Sequence, residues 1–137
     1  MRSFAQGGRL ASHALAERAA RDHFGGAGAQ ALAEVGLKAG MDSLAGDALA
    51  REVIAAAGYA EAFGHSLGHG VGLAVHETPN LSPSEARRSV LPAGCVLTVE
   101  PGIYLEGWGG VRLEDMVLLH PEVAEVLNHP GYFYEWD

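Results

Sequence analysis

The chain has 137 residues, enough for one domain with a hydrophobic core and cramped for two. Apolar residues make up 48% and charged residues 19%, which is typical of a folded protein and excludes a disordered one. The net charge is -8, and because residues 1–40 carry five basic against three acidic side chains, the acidic excess lies in residues 41–137. This balance disfavours nucleic acid as a partner and suits a cation site.

Membrane and secretory signals are absent from the sequence pattern. No apolar run approaches the roughly 20 residues of a membrane helix, so no membrane span is expected. The N-terminal stretch lacks the apolar region of a secretory signal. The single Cys95 can form no internal disulfide, which favours a cytoplasmic location and a role for this thiol as a small buried apolar group.

Helical patterns fill the first part of the chain. An alanine-rich helix is predicted at residues 12–23, and a second at residues 29–37 that ends with a basic residue and glycine over residues 38–40. A third is predicted at residues 43–57, closed by glycine. Its pattern puts Asp47 on a different face from Leu44, Ala48, Arg51 and Ile54.

Strand patterns follow the helices. Residues 96–100 are β-rich and stop at a Pro-Gly pair, and residues 111–119 alternate between apolar and polar side chains. Residues 80–92 are polar and predict a loop. Helices followed by an antiparallel sheet indicate the α+β class.

Residues 64–79 hold three of the seven histidines and four of the 19 glycines. His65, His69 and His76 are four and seven residues apart, and the flanking glycines argue against a helix. In a regular strand His69 and His76 would face opposite sides, so a shared site requires a turn or bulge near Gly70 or Gly72. The alternative is a glycine-rich turn whose histidines lie in solvent.

Two carboxylates have unusual settings in the sequence. Glu100 ends an apolar strand, where a buried charge is costly without a cation nearby. Glu114 follows Arg112, which is compatible with an ordinary ion pair or with a metal role. One imidazole and two carboxylates form a ligand set suited to manganese, cobalt, iron or zinc.

Three blocks together resemble a known family. They are GHSLGHGVGLAVHETP at residues 64–79, LPAG and TVEPGIY within residues 91–104, and GVRLED at residues 110–115. In order and spacing they resemble the C-terminal part of metallopeptidase family M24, and within it the Xaa-Pro aminopeptidase and prolidase branch. The resemblance implies half of a pita-bread α+β fold, with residues 29–137 as a partial catalytic domain and residues 1–28 as a divergent helical segment.

The resemblance also implies a site that hydrolyses peptide bonds before proline at two divalent metal ions. His69, Glu100 and Glu114 would be metal ligands, with Glu114 bridging both ions and Glu100 also acting as general base or proton shuttle. His76 would hydrogen-bond the substrate carbonyl or the tetrahedral intermediate, while His65 and Arg112 line the substrate side. Mn²⁺ is the expected metal, with Co²⁺, Zn²⁺ or Fe²⁺ as alternatives, and the expected substrate is a peptide or small amide.

The chain departs from the family pattern in one respect. The family takes two further ligands from aspartates ten residues apart, and Asp22, Asp42 and Asp47 do not have that spacing. We therefore expect at most one weakly bound ion, a truncated catalytic domain, and a homodimer or a complementing N-terminal half as partner. Two other hypotheses are a non-catalytic M24-like binding or assembly module and a creatinase-like or ectoine-hydrolase-like amidohydrolase.

Overall fold

A computed structural model describes residues 28–107 and 109–128, and all structural statements refer to these residues. Two helices come first and an antiparallel sheet follows, as predicted for the α+β class. The helix predicted at residues 12–23 lies outside the described residues. The elements are α1 (Ala29–Gly36), α2 (Ser43–Ala56), β1 (Gly68–Val71), β2 (Glu77–Leu81), β3 (Val96–Val99), β4 (Gly102–Leu105), β5 (Gly109–Arg112), β6 (Asp115–Leu119) and β7 (Ala124–Val126).

Helix α2 confirms the prediction at residues 43–57 to within one residue. Asp42 caps its N-terminus, since the carboxylate accepts a hydrogen bond of 2.9 Å from the Leu44 amide. The predicted facing was wrong, because Asp47 is 1% exposed and lies on the buried face. An ion pair with Arg51, one turn later, accounts for the burial of this carboxylate.

Helix α1 confirms the prediction at residues 29–37 except at its end. It stops at Gly36, with Leu37 as the C-cap, so the predicted end at residues 38–40 was wrong. Leu37 is fully buried, and the chain turns there to carry this side chain into the core. Gly36 lies against Leu49 of α2, where a Cβ atom would approach the leucine to 2.9 Å, so the two helices pack closely.

The main sheet has the strand order β2-β1-β3-β6-β7, with β2 and β7 outermost. All its neighbouring strands are antiparallel. The two helices pack on one face of this sheet and enclose the core, while β4 and β5 form a separate hairpin. Fully buried core side chains come from both layers, and they include Ala33, Leu37, Ala50, Leu81, Leu97, Val99, Val117 and Leu119.

The register of β3 against β6 shows which of their side chains lie on each face of the sheet. Leu97 pairs with Val117, and both point into the core. The neighbouring pair, Thr98 and Met116, therefore points to the opposite face. We call that side, which the helices do not cover, the open face.

Residues 111–119 form two strands and not the single predicted one. Gly109–Arg112 pairs with β4, while Asp115–Leu119 pairs with β3, so the chain passes from the hairpin to the main sheet near Leu113.

The predicted loop at residues 80–92 begins two residues late, because β2 extends to Leu81. Cys95 is half-buried and packs against the core, and burial raises the pKa of its thiol.

Candidate metal centre on the open face

The chain both bulges and turns between His69 and His76, where a turn or a bulge was predicted. His69 pairs with Asn80 of β2, but the next residue, Gly70, pairs with Glu77, so the register shifts between them. The chain then reverses between Val71 and Glu77, and the rings of His69 and His76 lie 4.3 Å apart between centroids. Two histidines that a regular strand would separate therefore lie side by side.

The glycines of β1 allow its neighbours to approach closely. A Cβ atom on Gly68 would overlap the Thr98 carbonyl oxygen of β3. A Cβ atom on Gly70 would lie 2.7 Å from the Thr78 carbonyl oxygen of β2. Glycine is required at both positions because backbone atoms of the adjacent strands fill the space of a side chain.

His69 is held with one ring nitrogen directed into the site. Its Nδ1 lies 2.9 Å from the Gly70 carbonyl oxygen, which can only accept, so Nδ1 carries the proton. In the neutral ring Nε2 then holds a lone pair, and this atom lies 3.4 Å from Glu100 Oε1. This arrangement suits a metal ligand, because a second hydrogen bond fixes the tautomer and the ring orientation.

Glu100 follows β3 directly and is fixed at both backbone and side chain. Its amide donates to the Leu67 carbonyl at 2.8 Å, and its Oε1 accepts from the Thr98 hydroxyl at 2.9 Å. The side chain is 12% exposed, and Arg112 Nε lies 3.8 Å from Oε2. Arg112 is thus the neighbouring cation that we expected from the apolar sequence before Glu100.

Glu114 lies further out than the other two predicted ligands. Its side chain is 44% exposed, and the carboxylate accepts a hydrogen bond of 3.3 Å from Arg112. Arg112 thus lies between Glu100 and Glu114. The ion pair of Glu114 with Arg112 is therefore present, and a metal-binding role of Glu114 stays a prediction.

The donor set is suited to a divalent transition metal, but only part of it is assembled. His69 Nε2 and Glu100 Oε1 face each other, as two ligands of one ion would. In the described part of the chain, no three His, Cys, Asp or Glu side chains are close enough to hold a metal ion. The arrangement therefore fits one ion held mainly by His69 and Glu100, and it does not fit two ions.

The other predicted site histidines take separate positions. His76 is exposed beside His69, at the end of the loop that follows β1. His65 turns away from His69, since its Nδ1 donates to the Ser66 carbonyl at 2.8 Å and its Nε2 lies 3.1 Å from the Tyr104 hydroxyl. His65 and Tyr104 thus form a polar pair of their own.

An ion pair on α2 fixes the segment that leads into β1. Arg51 donates to the carbonyl oxygens of Phe63 at 2.9 Å and His65 at 2.7 Å. Asp47 pairs with Arg51 and accepts from the Leu67 amide at 2.9 Å. We call this pair the α2 clamp, because it ties the helix to the backbone two residues before His69.

Two carboxyl groups, those of Asp115 and Glu34, adjoin each other on the helix-covered face of the sheet. Asp115 is buried and accepts hydrogen bonds from Gln30 at 2.9 Å and Asn128 at 2.7 Å. Glu34 of α1 adjoins it, and burial, followed by hydrogen bonding to Asp115 and repulsion by its charge, raises the pKa of Glu34 to about 7. Near neutral pH Glu34 is partly protonated and able to donate to Asp115.

Four residues of this region carry only weak signals in the sequence. Thr98 and Tyr104 lie within the TVEPGIY block, and the one signal there is a polar side chain, Thr98, two residues before Glu100. Asp47 and Arg51 have the i, i+4 spacing of a helical ion pair, which was a signal for a contact but not for its burial.

Neither helix within residues 28–107 and 109–128 has the length and apolar character that a membrane crossing requires.

The sequence profile of metallopeptidase family M24 matches residues 26–121. The Xaa-Pro dipeptidase of Pyrococcus furiosus is 50% identical over 100 residues, which are 73% of this chain and 28% of that protein.

Solved structures show the same similarity. The X-Pro aminopeptidase of Thermotoga maritima superposes with a TM-score of 0.70 at 50% identity, over 74% of this chain and 28% of that one. The X-prolyl aminopeptidase of Caenorhabditis elegans, described as a cytosolic enzyme with a di-nuclear active site, gives a TM-score of 0.53 at 30% identity, over 66% of this chain and 15% of that one. The chain thus spans less than a third of the length of these relatives.

Proposed function

This chain belongs to metallopeptidase family M24, and on that premise we propose that it forms part of the catalytic domain of a metal-dependent peptidase that cleaves bonds before proline. The Xaa-Pro specificity is supported by the relatives that share half of the aligned residues with this chain. Since the chain covers less than a third of their length, activity requires protein segments in addition to the residues described.

His69, Glu100 and Glu114 would hold the metal, with Mn²⁺ as the proposed ion. The di-nuclear site of the C. elegans enzyme supports a second ion in the complete catalytic domain, where further carboxylates are needed to hold it. When bound by these residues, a divalent ion would lower the pKa of a water molecule and polarise the scissile carbonyl.

The side chains around that position have separable tasks. Glu100 takes up the proton of the attacking water, since its carboxylate is 12% exposed and adjoins His69. His76 is exposed next to His69 and donates a hydrogen bond to the oxygen on which negative charge develops. Arg112 balances the two carboxylates beside it, and His65 with Tyr104 borders the bound substrate.

One observation carries the proposal, namely the His69–Glu100 pair on the open face. His69 Nδ1 is held by a backbone carbonyl, so Nε2 is left to face the Glu100 carboxylate at 3.4 Å. A histidine exposed in a glycine-rich turn would have neither a fixed tautomer nor a largely buried carboxylate opposite. This geometry favours metal chemistry over the alternative of a solvent-exposed turn.

A chimeric enzyme tests the proposal, because it supplies the parts of the relative that the match with this chain does not cover. Residues 26–121 would replace the matching segment of the P. furiosus Xaa-Pro dipeptidase, and hydrolysis of Xaa-Pro dipeptides would be assayed with Mn²⁺. We expect cleavage, and we expect H69A and E100Q to lower kcat/KM by at least about 100-fold. A chimera that folds and binds metal but leaves Xaa-Pro dipeptides intact, while cleaving another amide, would contradict the proposed specificity.

A further inference from the structure

Thr98 lies on strand β3 beside His69, which belongs to the neighbouring strand β1 of the same sheet. It is 3% exposed although its side chain belongs to the open face, because β1 and the Glu100 side chain cover it. Gly68 makes this contact possible, since a Cβ atom there would lie 3.0 Å from the Thr98 hydroxyl oxygen. The hydroxyl is therefore enclosed between the two proposed metal ligands.

The hydrogen bonds of this hydroxyl have a defined direction. The His69 amide donates to Thr98 Oγ1 at 3.0 Å, so the oxygen acts as acceptor on that side. Its own proton has two acceptors within reach, Glu100 Oε1 at 2.9 Å and the His69 carbonyl at 3.5 Å. The shorter distance and the charge of the carboxylate favour donation to Glu100.

The oxygen that receives this bond is the one that faces His69. Oε1 of Glu100 lies 3.4 Å from His69 Nε2, whereas Oε2 is directed toward Arg112. Without the hydroxyl, the carboxylate could rotate toward the guanidinium of Arg112 and present a different edge to His69. Thr98 thus connects the backbone of one ligand to the carboxylate of the other.

We propose that Thr98 is a positioning residue, whose hydroxyl holds the Glu100 carboxylate in the orientation that binds metal together with His69. For its use in metal binding the inference rests on the proposed function, but the orientation itself is a property of the metal-free chain. Hydrogen-bond partners of metal ligands typically change metal affinity by 10- to 100-fold when they are removed.

Two substitutions separate the hydroxyl from the shape of the side chain. T98V keeps the branched form and removes the hydroxyl, while T98S keeps the hydroxyl and removes the methyl group. T78V is the matched control, because Thr78 is the other threonine of the chain and is exposed on β2. Circular dichroism and the unfolding midpoint of each variant show whether the fold is retained.

The first measurement uses the metal-free chain and a double-mutant cycle. We expect T98V to lower the unfolding midpoint by about 2–4 °C and T98S by less. In an E100A background the effect of T98V shrinks, because the acceptor is gone. Equal effects of T98V in both backgrounds would overturn the inference.

The second measurement is Mn²⁺ binding, followed by electron paramagnetic resonance of the free ion. We expect T98V to weaken binding about tenfold, with T98S and T78V within about twofold of the parent chain. T98V with parental affinity, or T98S as weak as T98V, would overturn the inference. If the parent binds no Mn²⁺ while the coupling to Glu100 persists, the proposed metal function fails and the positioning role of Thr98 stands.

Discussion

The two sides of the open face differ in how firmly their polar side chains are held. On the β1–β3 side, His69 and Glu100 are 16% and 12% exposed and are fixed by backbone and hydroxyl hydrogen bonds. On the β5–β6 side, Arg112 and Glu114 are 49% and 44% exposed and lie where the chain passes between two sheets. Half of the proposed metal site is therefore preformed, while the other half depends on long side chains at the surface.

The difference originates in the backbone. His69 lies in a strand that is paired on both sides, and the α2 clamp fixes the segment before it. Glu114 lies between two strands, one belonging to each sheet. The neighbouring strands therefore hold His69 in position without a metal ion. The position of Glu114 depends instead on its ion pair with Arg112.

The largest effect on stability is expected from breaking the α2 clamp, which supports the β1–β3 side. We expect D47A to lower the free energy of unfolding by about 3–5 kcal/mol, because Arg51 loses its carboxylate and the Leu67 amide loses its acceptor. Urea denaturation measures the change. E52A, an exposed change on the same helix, is the control and is expected to stay within about 0.5 kcal/mol. Equal effects would show that the clamp does not support this side.

An intermediate effect on stability is expected from the pair of carboxyl groups formed by Glu34 and Asp115. The pKa of Glu34 is raised in the folded chain to about 7, so its stabilising contribution is complete below the unfolded pKa of about 4.5 and is lost as pH rises through 7. With a discount for partial exposure, this loss is on the order of 1–2 kcal/mol.

The variant E34Q tests this pH dependence. We expect the parent chain to lose stability between pH 5 and 8 relative to E34Q, whose amide can donate to Asp115 at every pH. Urea denaturation across this range measures the difference, and E52Q serves as a control with the parental slope. Parallel curves for the parent and E34Q would contradict the assignment.

The smallest effect is expected on the exposed side of the site. R112M should lower the free energy of unfolding by about 0.5 kcal/mol, since the pair with Glu114 is half exposed and solvent screens it. About 0.5 M NaCl should remove most of this difference. A loss as large as that of D47A would mean that the two sides are held equally firmly, and the comparison would fail.

Much of the fold follows from local patterns in the sequence. The helices at residues 29–36 and 43–56 and the strand at residues 96–99 match their predictions within one residue, apart from the misplaced end region of the first helix. The break within residues 111–119 was not predictable, because residues 113, 115, 117 and 119 are all buried and the alternation continues through the crossing. Periodicity records which face a side chain occupies but not which strand it pairs with.

The site was predictable to a similar extent. The spacing of His69 and His76 required a turn or a bulge for a shared site, and the structure has a register shift after His69 and a turn before His76. The apolar surroundings of Glu100 required a cation, and Arg112 lies beside it. The buried state of Asp47 and the contact of Thr98 with Glu100 depend on segments distant in the chain, so no local pattern could show them. The metal-binding roles of His69, Glu100 and Glu114 stay predictions.

The central claim, a preformed half-site at His69 and Glu100, is tested most directly by calorimetric titration of the chain with Mn²⁺. We predict one weakly bound ion, loss of binding in H69A, and a smaller loss in E114Q, because Glu114 lies on the exposed side. Tight binding of two ions by the parent chain, or binding by H69A with the parental affinity, would contradict the account.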